Sequence, residues 1–135
     1  MRFMLQVRAD RNTEAGVMPS RELVAAMGEF NEKMVEAGVM LAADGLHPSS
    51  KGARVSFRNG APSVTEPPFA DPSELIAGFW MIQVASKEQA VDWARRIPFV
   101  EGVVDIRQVF EPSDFPADIL PPDAAARETA LRQKL

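Results

Sequence analysis

Ser73-Glu74-Leu75-Ile76-Ala77-Gly78-Phe79-Trp80-Met81-Ile82-Gln83-Val84 is an apolar run with almost no alternation. A strand that is apolar on both sides must be covered on both sides. At 135 residues the chain has helices enough for one of those layers only. The run is therefore expected as a main strand of a sheet whose second side is covered by another copy of the chain.

The neighbouring segments place that strand. Arg2 to Arg8 alternates, with Phe3, Leu5 and Val7 on one side and Met4, Gln6 and Arg8 on the other, as a half-buried strand does. Asp10 to Pro19 reads as a polar loop, after which Ser20 caps a helix whose Leu23, Met27, Phe30 and Met34 form one apolar stripe. Gly38 ends that helix by accepting a left-handed conformation. Val39 to Ala43 is a second short strand that runs into the turn Asp44-Gly45. Arg54 to Arg58 and Ser63 to Thr65 flank Asn59-Gly60, both of which tolerate positive φ, and so form a hairpin. After the apolar run, Ser86 caps a helix carrying Ala90, Val91 and Ala94, and Val103 to Phe110 supplies the last strand.

Without the inserted hairpin the order is β-α-β-β-α-β, a ferredoxin-like α+β fold with both helices on one sheet face. Alternation assigns Phe3, Leu5, Val7, Val104 and Ile106 to the helix side. Met4, Gln6, Phe79, Met81, Gln83, Asp105 and Arg107 fall on the other side, which is too apolar to stay wet, so a homodimer closing sheet on sheet into an α/β barrel is expected. After Phe110, Pro112, Pro116, Pro121 and Pro122 interrupt regular structure, and Asp123 caps a short last helix through Arg132. Residues 1–111 thus read as the domain and 112–135 as a Pro-rich tail with a C-terminal helix that lies on a subunit.

Composition narrows the chemistry. With no cysteine, thiol nucleophiles, disulfides and zinc-thiolate sites are excluded, which fits a reducing, cytoplasmic setting. A formal charge of −4, with the basic residues scattered among acids, argues against a direct nucleic-acid partner. No apolar run reaches the ~20 residues of a membrane helix, and the charged residues from Arg8 onward interrupt any leader-like start, so no membrane partner is expected. Gly45, Gly52 and Gly60 are spaced as turn residues, not as a phosphate-cradling loop, and one histidine cannot build a His-rich metal site, so neither cofactor nor metal is expected.

The residues that remain are few. His47 follows Asp44 by three positions at a Gly-containing turn. A carboxylate there either holds the imidazole in one tautomer, as a general base requires, or makes an Asx-turn and leaves the ring in solvent. Arg54 pairs with Asp44 or Glu66, or binds an anionic ligand through its planar fork. Phe69 anchors its loop in the core or lines a cleft, and Glu66 is either solvated or faces the same cavity. Gln6, Gln83, Asp105 and Arg107 on the apolar face need partners, supplied by one another across a dimer or by a bound small molecule.

Asp44-Gly45-Leu46-His47-Pro48-Ser49-Ser50, Gly52-Ala53-Arg54-Val55, Glu66-Pro67-Pro68-Phe69-Ala70-Asp71 and the apolar run, in that order, resemble the YCII-related proteins of the DGPF type. The resemblance spans roughly residues 1 to 120 and implies the dimeric α+β barrel. It also implies a proposed catalytic pair, a His on the first helix with an Asp after the second strand. Here the segment Arg21 to Glu36 holds no His, so only the acid is retained, as Asp44. The family's suspected hydrolase or lyase chemistry does not transfer in that form. Glu66-Pro67-Pro68-Phe69 stands where the type has Asp-Gly-Pro-Phe. Relatives encoded beside extracytoplasmic-function sigma factors imply a second role, a non-catalytic regulatory or assembly module.

Overall fold

The computed structural model describes residues 1–69 and 71–135; Ala70, part of a segment that carries the resemblance, lies outside them. The elements run β1 (Arg2–Arg8), α1 (Arg11–Glu14), α2 (Arg21–Glu36), β2 (Met40–Gly45), β3 (Arg54–Arg58), β4 (Ala61–Thr65), β5 (Ile76–Gln83), α3 (Lys87–Arg95), β6 (Val104–Gln108) and α4 (Pro122–Arg132). Four strands form one sheet in the order β2-β5-β1-β6, every neighbouring pair antiparallel, while β3 and β4 form a separate two-stranded ribbon. The protein is an α+β fold, with β5 and β1 as the inner strands.

Register follows the alternation in the sequence. Phe3 stands opposite Ile82, Leu5 opposite both Trp80 and Ile106, and Val7 opposite Gly78 and Val104. Opposed residues of an antiparallel pair share a face, and this is the face on which α2 and α3 pack. Ser20 and Ser86 accept the third-residue amides of these helices, from Leu23 and Gln89, as N-caps do. Gly38 closes α2 with φ of 71°. Phe30 and Met34 of α2 and Ala90 of α3 join Phe3, Leu5, Trp80, Ile82, Val84 and Ile97 in the core. Leu5, Met34 and Ile82 are wholly enclosed, and burying each is worth roughly 1.5–3 kcal/mol.

The one polar atom of the largest core side chain is satisfied locally. Trp80 Nε1 donates to Asn31 Oδ1 at 2.8 Å, and the Phe30 ring meets the Trp80 and Trp93 rings edge-on at 5.7 and 6.3 Å. Both tryptophans thus belong to the core, Trp93 at its margin.

Three local expectations need correcting. Asp10 to Pro19 is not all loop: Asp10 and Thr13 form a reciprocal capping box that closes the single turn α1, and Glu14 then accepts both the amide and the hydroxyl of Ser49. β2 runs Met40–Gly45 and ends later than the expected Val39–Ala43, because pairing with β5 continues to Gly45 opposite Gly78, past a register slip between Met40 and Ala42. Asp123 is not the cap of α4; Pro121 takes that position without a side-chain bond, and Asp123 lies in the first turn, 3.8 Å from Arg127.

The β2–β5 pairing runs one residue further before the ribbon begins. Leu46 N donates to Ala77 O at 2.8 Å, so the ends of β2 and β5 are joined directly. The two backbones run close here: a Cβ on Gly78 would lie 3.0 Å from the Asp44 carbonyl oxygen. Beyond the join, the ribbon turns at Asn59-Gly60 with φ of 50° and 77°, the left-handed pair that a two-residue hairpin needs.

Candidate functional site

The core lies between the sheet and the helices α2 and α3, and among the described residues no side chain of the sheet's other face belongs to it. Strand register lays its side chains out in rows. One row reads Asp44, Phe79, Gln6, Asp105 across β2, β5, β1 and β6; the next reads Ala42, Met81, Met4, Arg107. Arg2 and Gln83 form a third pair at the end of the ladder. Four of the eight candidate residues, Gln6, Asp44, Gln83 and Arg107, therefore share this face.

The centre of the face is apolar and half-buried, formed by Met4, Phe79 and Met81. Gln6 lies among them, and its amide donates to the Met4 thioether at 3.4 Å, a weak acceptor. Charge is confined to the rim. Arg8 Nε donates to Asp105 Oδ2 at 2.7 Å, and Arg2 Nε to Glu111 Oε1 at 2.6 Å. The hydrogen bond from Arg2, which opposes a smaller effect of burial, holds the Glu111 carboxyl below the usual carboxylate range. Arg107 is exposed and takes part in none of the ion pairs among the described residues.

The other four candidates lie off the sheet. His47 is exposed, just past the end of β2, and no ion pair joins it to Asp44. Its neighbour Ser49 is pinned to Glu14, so the loop is tied to α1 at that point. At the root of the ribbon the Arg54 guanidinium stacks on the Phe69 ring, 3.9 Å from its centroid. That contact takes the place of the ion pair with Asp44 or Glu66 that the sequence suggests, and Phe69 is only partly buried. Glu66 is exposed directly after β4. Past it, Asp71 accepts from the Ser73 hydroxyl and amide, which draws its carboxyl below the ordinary range.

Two hollows open on the helix side of the molecule. One of about 320 Å³ lies between α3 and β6, lined by Val91, Ala94, Ile97, Phe99, Val104 and Ile106 among others. The second, about 340 Å³, lies between α2 and α3 over Phe30 and Trp93, with Glu29, Lys33 and Arg96 at its edge. Neither contains a candidate residue. Both are shallow and border the core, whereas the polar groups that need partners are on the opposite face. No group of three or more metal-ligating side chains converges among the described residues, and no helix there is long and apolar enough to cross a membrane.

An antiparallel sheet with two helices on one side and an apolar, polar-rimmed face on the other defines an α+β domain. The YCII-related domain model matches residues 1–113. An uncharacterized protein of Rhizobium meliloti (strain 1021) is 30% identical over 96 residues, which is 67% of this chain and 77% of that protein. The chain belongs to the YCII-related family.

Proposed function

We propose that the chain works as a homodimer joined through the open sheet face, and that a small anionic molecule binds in the cleft the two faces leave between them. The observation that carries this reading is the composition of the face. Met4, Phe79 and Met81 make a continuous apolar centre in the middle of the sheet, and such patches ringed by polar groups mark places of association. Within it, Gln6 has a thioether where a stronger acceptor belongs, and Arg107 at the rim has its guanidinium free for a carboxylate or phosphate.

The proposal is for binding. Gln6, Gln83 and Arg107 are the contacts on the sheet, with Asp44 at its β2 edge. His47, Arg54, Glu66 and Phe69 belong to the loop and ribbon beyond that edge and form the mouth of the cleft. Asp44 and His47 are both exposed and, among the described residues, no ion pair joins them, so Asp44 does not hold the imidazole in one tautomer in the single chain.

The test is a thermal-shift titration with small carboxylic and phosphoric acids, run beside sedimentation equilibrium. A native-state ligand at 100 times its Kd stabilises by roughly 2.7 kcal/mol, which is a readable rise in Tm. The expected result is a concentration-dependent dimer whose Tm rises with at least one acid, a rise that Arg107→Ala and Gln6→Leu abolish. A dimer indifferent to every acid at millimolar concentration would remove the ligand from the reading, and a monomer would remove the cleft.

A further inference from the structure

We infer that Arg2 is a carboxylate site on the open face, filled in the resting chain by its own Glu111, and that a small dicarboxylic acid held by Arg107 displaces Glu111 and frees the tail. The inference rests on the anion-binding cleft proposed above. It adds to that cleft a second guanidinium, the class of acid it takes, and what binding does to the chain.

Register places the two arginines together. Met4 stands opposite Arg107, and Arg2, two residues before Met4 on the same face, stands opposite Gln83. Arg2 is thus the diagonal neighbour of Arg107, roughly 7–8 Å away, a separation that long side chains span. Asp105, the acid of β6, is engaged by Arg8, and Arg107 is in no ion pair among the described residues. Two guanidinium groups therefore share this end of the sheet with one paired carboxylate, that of Glu111.

The way Glu111 is held shows what the site accepts. Arg2 Nε donates to one carboxylate oxygen at 2.6 Å and Nη2 to the other at 3.2 Å, the fork-to-fork geometry with which arginine selects planar carboxylates. Both side chains are partly open to solvent, so a carboxylate from solution reaches the same donors and a displaced Glu111 is solvated. The advantage of Glu111 is its covalent tether. Only an acid already anchored nearby presents its carboxylate at a comparable effective concentration. A monoacid satisfies Arg107 alone; the second carboxylate of a short diacid crosses the diagonal to Arg2.

Glu111 is also where the tail hangs. Its amide donates to Asp114, the amides of Asp114 and Phe115 return to Glu111 and Pro112, and the Phe110 and Phe115 rings lie 5.1 Å apart. Residues 110–115 thus form one knot, and among the described residues α4 packs more on that knot than on any other element. Arg2–Glu111 is the one ion pair that joins the tail to the body among those residues. When Glu111 lets go, the knot and α4 leave together.

The experiment is an NMR titration of the full chain with succinate or butyrate, at neutral pH and constant ionic strength, beside calorimetry of wild type and Glu111→Gln. Succinate is expected to move the Glu111 carboxyl carbon resonance to the position it has in Arg2→Ala, and to lower the backbone heteronuclear NOE across 112–132. Butyrate should do neither. Glu111→Gln, in which the competing charge is gone, should bind succinate about two- to fivefold more tightly, the size of effect a part-exposed ion pair carries. Succinate that binds through Arg107 while the Glu111 resonance and the tail stay as they were, or that Glu111→Gln binds no more tightly, overturns the displacement and leaves the anion cleft standing. Butyrate acting as succinate does overturns the assignment to a diacid. Wild type and Glu111→Gln both indifferent to both acids would overturn the cleft and this inference with it.

Discussion

Asn31 on α2 accepts the indole N–H of Trp80 on β5, 2.8 Å away, and so fastens the first long helix to an inner strand through the one polar atom of an otherwise apolar contact. Trp80 is almost fully buried. Asn31→Leu leaves the indole donor without an acceptor, and a buried donor left unsatisfied costs about 1–3 kcal/mol. Urea unfolding followed by tryptophan fluorescence should show that loss, with sedimentation behaviour unchanged because neither residue is on the open face.

Adjacent residues of β1 should respond in opposite ways. Leu5 is wholly enclosed under the helices, whereas Met4 stands on the open face opposite Met81. Leu5→Ala is expected to cost about 2–5 kcal/mol at every protein concentration. Met4→Ala should cost less than half of that in dilute solution, and its cost should grow as the concentration is raised, since association stabilises only the form that associates. Equal, concentration-independent losses for the two would show that the face is not an interface.

Gly78 is required by space and not by its dihedral angles. A methyl group there meets the backbone oxygen of Asp44 at 3.0 Å, and backbone moves less readily than a side chain. Gly78→Ala is expected to cost on the order of 1–3 kcal/mol as an overpacked site. Amide exchange should localise the damage to β2, with β1 and β6 retaining their protection.

The Arg2–Glu111 pair gives stability a defined dependence on pH. The Glu111 carboxyl is held below its ordinary range, so the folded state binds a proton less readily than the unfolded chain, and the pair's contribution is complete above the unfolded value of about 4.3. It is lost as pH falls from there through the lowered folded value. Both partners are about one-third exposed, so the contribution is under about 1 kcal/mol. Wild type should exceed Glu111→Gln in stability by that amount at pH 7, and the gap should close below about pH 4. A gap that widens in acid would mean the sign is wrong.

Much of the sheet was legible because strand periodicity is two and nothing interrupts it from Phe3 to Val7 or from Gly78 to Ile82. Parity alone put Gln6 and Arg107 on the face opposite Leu5 and Ile106, and the register agrees. The turn α1 escaped for want of any apolar residue in Arg11-Asn12-Thr13-Glu14, although Asp10 three residues before Thr13 is a readable capping signal. Long-range polar contacts left no local trace. Glu14 with Ser49, Arg2 with Glu111, and Arg54 stacked on Phe69 each join segments whose meeting is decided by the fold, not by spacing. The half of the candidate set on the ribbon and its flanking loops has no pairing with the sheet, and period-two reasoning has nothing to say about its position.

The backbone clasp between Leu46 and Ala77 brings the start and the return of the excursion that carries the β3–β4 ribbon side by side at the edge of a four-stranded sheet to which that ribbon contributes no strand. Its two feet stand side by side on the main body, a fixed mount for whatever peptide is spliced between them. Lengthening, shortening or exchanging that insert should leave strand order and hydrophobic interior as they are, while changing what the molecule presents to its surroundings. Variation within such a lineage has an inexpensive place to accumulate, and an engineer has a graft point whose geometry is already set.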